Sequence, residues 1–314
     1  MSYAEIAALG GGILNSAKKL QQASEEELYE VAARRLEEVM QMGTGAIEIK
    51  SGYGLSTESE IKMLKVARKL GENYPLPVKT TFLGAHAFPE KFKNDHQGYV
   101  RLITDEMLPE IAARNLADYV DVFCEEGYFS VDEMIEILQT AQKFNIKSKL
   151  HLNQFNSLDS IEKAISHDAL SVDHLEVMTA HDKTLLAGSD TIATLLPGCS
   201  LFLEIPYAPA RDLIDQNAIV SLATDYNPGS APSGNMNLMV SLACIKMKMT
   251  PEEAISAATL NGAAAIELSD QTGSIEKGKK ANFMITKPLT SPSFLPYNFG
   301  HHLIDKVFIN GKQI

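Results

Sequence analysis

The chain contains no tryptophan, only three cysteines, and aromatic residues at 7% of its 314 positions. Cys124, Cys199 and Cys244 lie far apart, with no C-x-x-C spacing, and each follows an apolar or small residue. That argues against a disulfide framework or a cysteine-rich zinc cluster and reads as buried thiols in a reducing cytoplasm. No apolar run approaches membrane-spanning length, and the N-terminus lacks a signal-peptide pattern. Positive charge is also scarce: 28 Lys and Arg stand against 40 Asp and Glu, a formal net charge of −12. The expectation is therefore a soluble intracellular protein with no nucleic-acid and no membrane partner. Repeats and low-complexity linkers are missing as well.

What is present is an alternation of helical and strand-like periodicity from Ser24 to Ile219. Ser24 and Glu27 form a capping box before an amphipathic helix. The strand from Gly45 to Ser51 follows, then a helix opened by Thr57 and Glu60 and stopped by Pro75 and Pro77. Further strands are VKTTFLGAH ending at His86, YVDVFCEEG from Tyr119, IKSKLHLNQ from Ile146, ALSVDHLEV carrying His174, TIATLLPG from Thr191, and SLATD ending at Asp225. Seven strand–helix units are counted where a closed (β/α)8 barrel has eight. The expected fold is α/β, a TIM-like barrel lacking its first strand, because the chain opens on a helix-like run from Met1 into Gly10-Gly11-Gly12. After Thr250 the pattern changes. An alanine-rich helix over Pro251–Leu268 is expected to be followed by β-pieces from Thr272 and by a terminal strand starting at His301-His302, with an Asn310-Gly311 turn. The domain expectation is 1–268 for the barrel and 269–314 for the C-terminal part of a small β-domain.

Catalytic groups of such barrels sit at the C-terminal ends of the strands. His151 and Asp225 both fall there, and imidazole nitrogen with carboxylate oxygen makes them candidate ligands of one metal ion. Each also has an ordinary reading, His151 as a packed strand-end histidine and Asp225 as a cap for the D-x-N-P-G turn. His174 is either bonded to neighbouring Asp173 or Glu176, or a proton shuttle. His86 could pair with it. Tyr53, between Gly52 and Gly54, suits close ligand approach. Lys50 reads as an ion-pair partner or a substrate contact. His167 and His181 read as solvated, and Lys277–Lys280 as a solvated turn.

Asp225 in LATDYNPGS, His151 and GSIEKGKKANFMI together resemble the amidohydrolase superfamily of metal-dependent barrels. Within it, IEIKSGYGL, FLGAHAFP, SVDHLEVM and SLATDYNPGS resemble the imidazolonepropionase family, over essentially the whole chain from Gly10. The resemblance implies hydrolysis of a small molecule, 4-imidazolone-5-propanoate, to N-formimino-L-glutamate in histidine degradation, with one zinc or iron ion per subunit. It implies metal ligands His151 and Asp225, a substrate site lined by Tyr53, His86, Gln154, Asn227, Gly229 and Ser230, and catalytic residues His174, Asp225 and Gln154, with proton transfer assigned to His174 and Asp225. A homodimer is left open. Two departures accompany it. The family's H-x-H pair on the first strand is found nowhere in this sequence, so the chain alone is expected to hold metal weakly and its own turnover is an open point. Gln154 stands where many members have glutamate, and an amide cannot carry a proton at neutral pH. The alternatives are another cyclic amidohydrolase and a non-catalytic ligand-binding remnant.

Overall fold

A computed structural model of the protein describes residues 13–314. The helix-like run from Met1 and the glycines at 10–12 lie outside the described residues. Seven parallel strands follow chain order in the sheet. They are β1 (Ile47–Lys50), β2 (Val78–Ala85), β3 (Tyr119–Cys124), β4 (Lys147–Leu152), β5 (Ser171–His174), β6 (Ile192–Leu195) and β7 (Val220–Leu222). Helices alternate with them, as the change of hydrophobic period from two to 3.6 requires. The count of seven strands matches the sequence reading. A three-stranded antiparallel sheet closes the chain: β8 (Phe283–Thr286), β9 (Ile304–Ile309) and β10 (Lys312–Gln313), in the order β10-β9-β8.

Compactness divides the chain into two units. Among the described residues, the first holds 13–33, 48–73 and 78–172. Its strands are β1 to β4, and β3 is buried along its whole length. A strand covered on both faces reads as a near-continuous apolar run, which is what YVDVFC shows. The ladder is regular: Asp121 pairs with Lys149 and Phe123 with His151. Ser130 and Glu133 form a complete capping box for the helix Val131–Lys143, which feeds β4.

The second unit holds residues 34–47, 74–77 and 173–314. Its helix Ala180–Ala187 starts in a capping box of Thr179 and Asp182, and Pro251–Ala258 in one of Thr250 and Glu253. Three details depart from the sequence expectation. The alanine-rich stretch is two helices, because Thr259 leaves helical geometry at φ −119° and ψ −85° and a new helix begins at Leu260. Gly273 packs on that break, where a Cβ would stand 2.9 Å from the Thr259 carbonyl. The β-piece from Thr272 is mostly turn, with extended pairing confined to β8. His301 and His302 precede β9, which starts at Ile304.

Candidate active site

In the first unit, β1 ends in a turn that carries Tyr53. Gly52 has φ +111°, and a Cβ there would meet the Leu83 carbonyl at 2.9 Å. At Gly54 a Cβ would lie 2.5 Å from the Glu60 nitrogen, so neither glycine tolerates a side chain. Glu60 shapes this turn from the inside. Its fully buried carboxylate accepts the backbone N–H groups of Gly52, Gly54 and Leu55 at 2.9, 2.7 and 2.8 Å. Burial raises its pKa, although Ser51 and the three backbone donors pull the other way. Tyr53 is thereby set edge-on to His86, ring centres 5.2 Å apart. His86 Nδ1 donates to the Gly52 carbonyl at 3.0 Å, since a carbonyl can only accept. The His86 and His151 rings are 6.5 Å apart, so Tyr53, His86 and His151 form one group.

His151 is buried in β4. Its Nδ1 lies 2.9 Å from Asp121 Oδ2, and its backbone N–H donates to Asp121 Oδ1 at 3.2 Å. Lys50 Nζ meets the same Asp121 carboxylate at 2.6 Å, so the ion-pair reading of Lys50 holds. A carboxylate on one imidazole nitrogen is the arrangement that directs the other nitrogen to a cation. The donor chemistry at His151 thus fits a metal ligand. Gln154 is buried just after β4, beside Asn153 with φ +56°. Glu125 holds the segment that follows, accepting from Phe155 N at 2.9 Å and from Asn156 Nδ2 at 3.0 Å.

In the second unit, β5 ends at His174, whose φ is +82°, followed by Leu175 at +68°. Two successive non-glycine residues with left-handed backbone cost of order 1–3 kcal/mol each and cluster at functional sites. His174 Nδ1 lies 3.5 Å from Glu176 Oε2, and Ser200 Oγ donates to Glu176 Oε1 at 3.1 Å. Burial opposes a charge on His174, yet Glu176 together with Cys199 raises its pKa well above the usual histidine range. Ligand atoms of His174, Glu176 and Cys199 all lie within 4.8 Å of one another, a second buried group able to hold a cation. Cys199 sits in an apolar cluster with Leu196 and Ala231, and burial pushes its thiol up.

Asp225 follows β7 with φ +51°. Asn227 fixes the loop after it: Nδ2 donates to the Asp225 carbonyl at 2.6 Å, and Oδ1 accepts Gly229 N and Ser230 N, both at 2.8 Å. Ser230 Oγ donates to Asp225 Oδ2 at 3.2 Å. Asp225, Asn227, Gly229 and Ser230 therefore form a second assembled group. Sequence reasoning passed over Asp121, Glu60, Glu125 and Cys199. The one legible signal was an acidic residue inside the all-apolar strand YVDVFC. Cys124 and Cys199 are buried as expected, whereas Cys244 is only half-buried, and no disulfide forms among the described residues.

Comparison with known proteins gives the class. The sequence model described as "Amidohydrolase family" matches residues 9–314. An atrazine chlorohydrolase of Arthrobacter aurescens, solved with zinc and atraton, superposes with TM-score 0.75 at 14% identity, over 92% of this chain and 72% of that one. The guanine deaminase of E. coli superposes with TM-score 0.69 at 14% identity, over 95% and 76%. Both likenesses concern the barrel fold alone. Among curated proteins, the imidazolonepropionase of Christiangramia forsetii is 60% identical over 314 residues, covering 100% of this chain and 76% of that protein. The imidazolonepropionase of Alkaliphilus metalliredigens is 41% identical over 313 residues, covering 99% and 74%. The chain belongs to the amidohydrolase family, a metal-dependent family of (β/α) barrels, and within it to the imidazolonepropionases, hydrolases acting on C–N bonds.

Proposed function

We propose that the protein hydrolyses 4-imidazolone-5-propanoate to N-formimino-L-glutamate with one zinc or iron ion per subunit. One observation carries this reading: 60% identity to an imidazolonepropionase along the whole chain. His151 and Asp225 are the proposed protein ligands in this chain, an N/O pair that suits either metal. The bound ion would supply Lewis acidity for the carbonyl and activate water. The remaining chemistry belongs to side chains. Asp225 accepts the proton of the attacking water, and its carboxylate is held for that by Ser230 Oγ. His174, backed by Glu176, delivers a proton to the ring nitrogen that departs as the C–N bond opens. Gln154 hydrogen-bonds substrate and moves no proton. Tyr53 and His86 offer an aromatic wall with a polar edge, and Asn227, Gly229 and Ser230 complete the lining. Cysteines without disulfides suit the cytoplasm as the site of action.

The test is product formation from 4-imidazolone-5-propanoate by this chain, alone and co-expressed with the part of the Christiangramia forsetii relative that it does not match. Turnover in either preparation supports the reading. A folded, metal-loaded protein that leaves this compound intact in both and opens another cyclic amide overturns it.

A further inference from the structure

We propose that Asp121 is a positioning residue for His151: it holds the ring in the tautomer protonated at Nδ1, so that Nε2 carries the lone pair offered to the metal. The proposal rests on the reading of His151 as a metal ligand.

The grip is double. One carboxylate oxygen takes the His151 backbone N–H at 3.2 Å, and the other lies 2.9 Å from the ring Nδ1 of the same residue. Asp121 is itself fully buried on the neighbouring strand, where Phe123 pairs with His151, so the β3–β4 register keeps the two residues side by side. Imidazole tautomers differ only in which nitrogen holds the proton, and a fixed acceptor beside Nδ1 decides between them.

Asp121 is itself held in place by ion pairing. Lys50 Nζ stands 2.6 Å from Asp121 and 3.4 Å from Glu48, while Lys149 Nζ stands 3.5 Å from Glu48. Lys50 therefore fixes the position of the Asp121 carboxylate from the side opposite the β4 backbone. Asp121 Oδ2 thus stands between Lys50 Nζ and the His151 ring, while Oδ1 takes the His151 backbone N–H, so the carboxylate that pairs Lys50 is also anchored to His151 through both of its oxygens. The sequence carries the parts, Lys50 in IEIK and Asp121 in YVDVFC, 71 residues apart.

The experiment uses the 314-residue chain with 15N-labelled histidine, freed of metal, and long-range proton–nitrogen correlation of the imidazoles. The His151 signals are identified by their loss in His151→Gln. The native ring is expected to be protonated at Nδ1, and Asp121→Asn to move population to the Nε2–H form. Zinc affinity, measured by chelator competition, should fall about 10–100-fold in Asp121→Asn, the usual effect of losing such a partner. A native His151 protonated at Nε2 overturns the proposal without any variant, so a misfolded Asp121→Asn does not shield it. An unchanged tautomer and unchanged zinc affinity in a folded Asp121→Asn also overturn it. If His151→Gln leaves zinc affinity intact, the ligand reading falls, while the tautomer result still decides the role of Asp121.

Discussion

His174 and Glu176 face each other across 3.5 Å inside the protein, the ring nitrogen Nδ1 against a carboxylate oxygen, with both side chains almost wholly withdrawn from solvent. Ser200 takes up the other Glu176 oxygen, which leaves Oε2 directed at the imidazole. This pair is the basis of the proposed role of His174 as a proton donor.

His174→Ala should lower the rate of product formation about 10²–10⁴-fold, the range for a lost general acid or base. Gln154→Ala should cost much less, and Gln154→Glu should be tolerated. Steady-state kinetics on the three variants checks the ranking. A larger loss at Gln154 would exchange the roles.

The same pair sets a pH dependence of stability. The pKa of His174 is raised in the folded protein, so the folded state holds its proton more tightly than the unfolded chain, whose value is near 6.5. The stabilisation is fully present below that unfolded value and is lost as pH rises through the folded one. Urea unfolding of native and Glu176→Gln protein across this window should show the native advantage shrinking with increasing pH. An advantage that grows with pH would contradict the pairing.

Glu60→Gln should destabilise the protein by about 3 kcal/mol, because an amide cannot accept all three of the N–H groups that the buried carboxylate serves. The KM should rise with it, since the turn carries Tyr53. Chemical denaturation and kinetics measure the two effects separately.

Much of this architecture was legible in one dimension. Alternation of period gave the seven strands, and residues at their ends, His151, His174 and Asp225, marked where polar chemistry gathers. Capping signals such as Ser24 with Glu27 are local and therefore readable. What escaped is non-local. Lys50 with Asp121, and Asp121 with His151, join different strands, and nothing short of their pairing brings them together. Glu60 looked like an ordinary first-turn acid of a helix, although its side chain turns inward to serve the preceding loop. The helix over 251–268 was misread because alanine-rich composition is silent about the break at Thr259.

Asn227→Ala removes a side chain that accepts two backbone N–H groups and donates to the Asp225 carbonyl. A loss of about 1–2 kcal/mol is expected for a half-buried set of this kind. Activity should fall further than stability alone explains, because Asp225 is no longer fixed. Thermal unfolding alongside kcat separates the two.

Metal-dependent hydrolysis through Asp225 is the centre of the proposed function. The most direct measurement is the rate of N-formimino-L-glutamate formation from 4-imidazolone-5-propanoate, for native and Asp225→Asn protein, before chelation, after it, and after return of zinc or iron. The unmatched part of the Christiangramia forsetii relative is supplied in every case. The rate should vanish on chelation, return with metal, and be about 10²–10⁴-fold lower in folded Asp225→Asn throughout. A rate indifferent to chelation, or near-native turnover by Asp225→Asn, would contradict it.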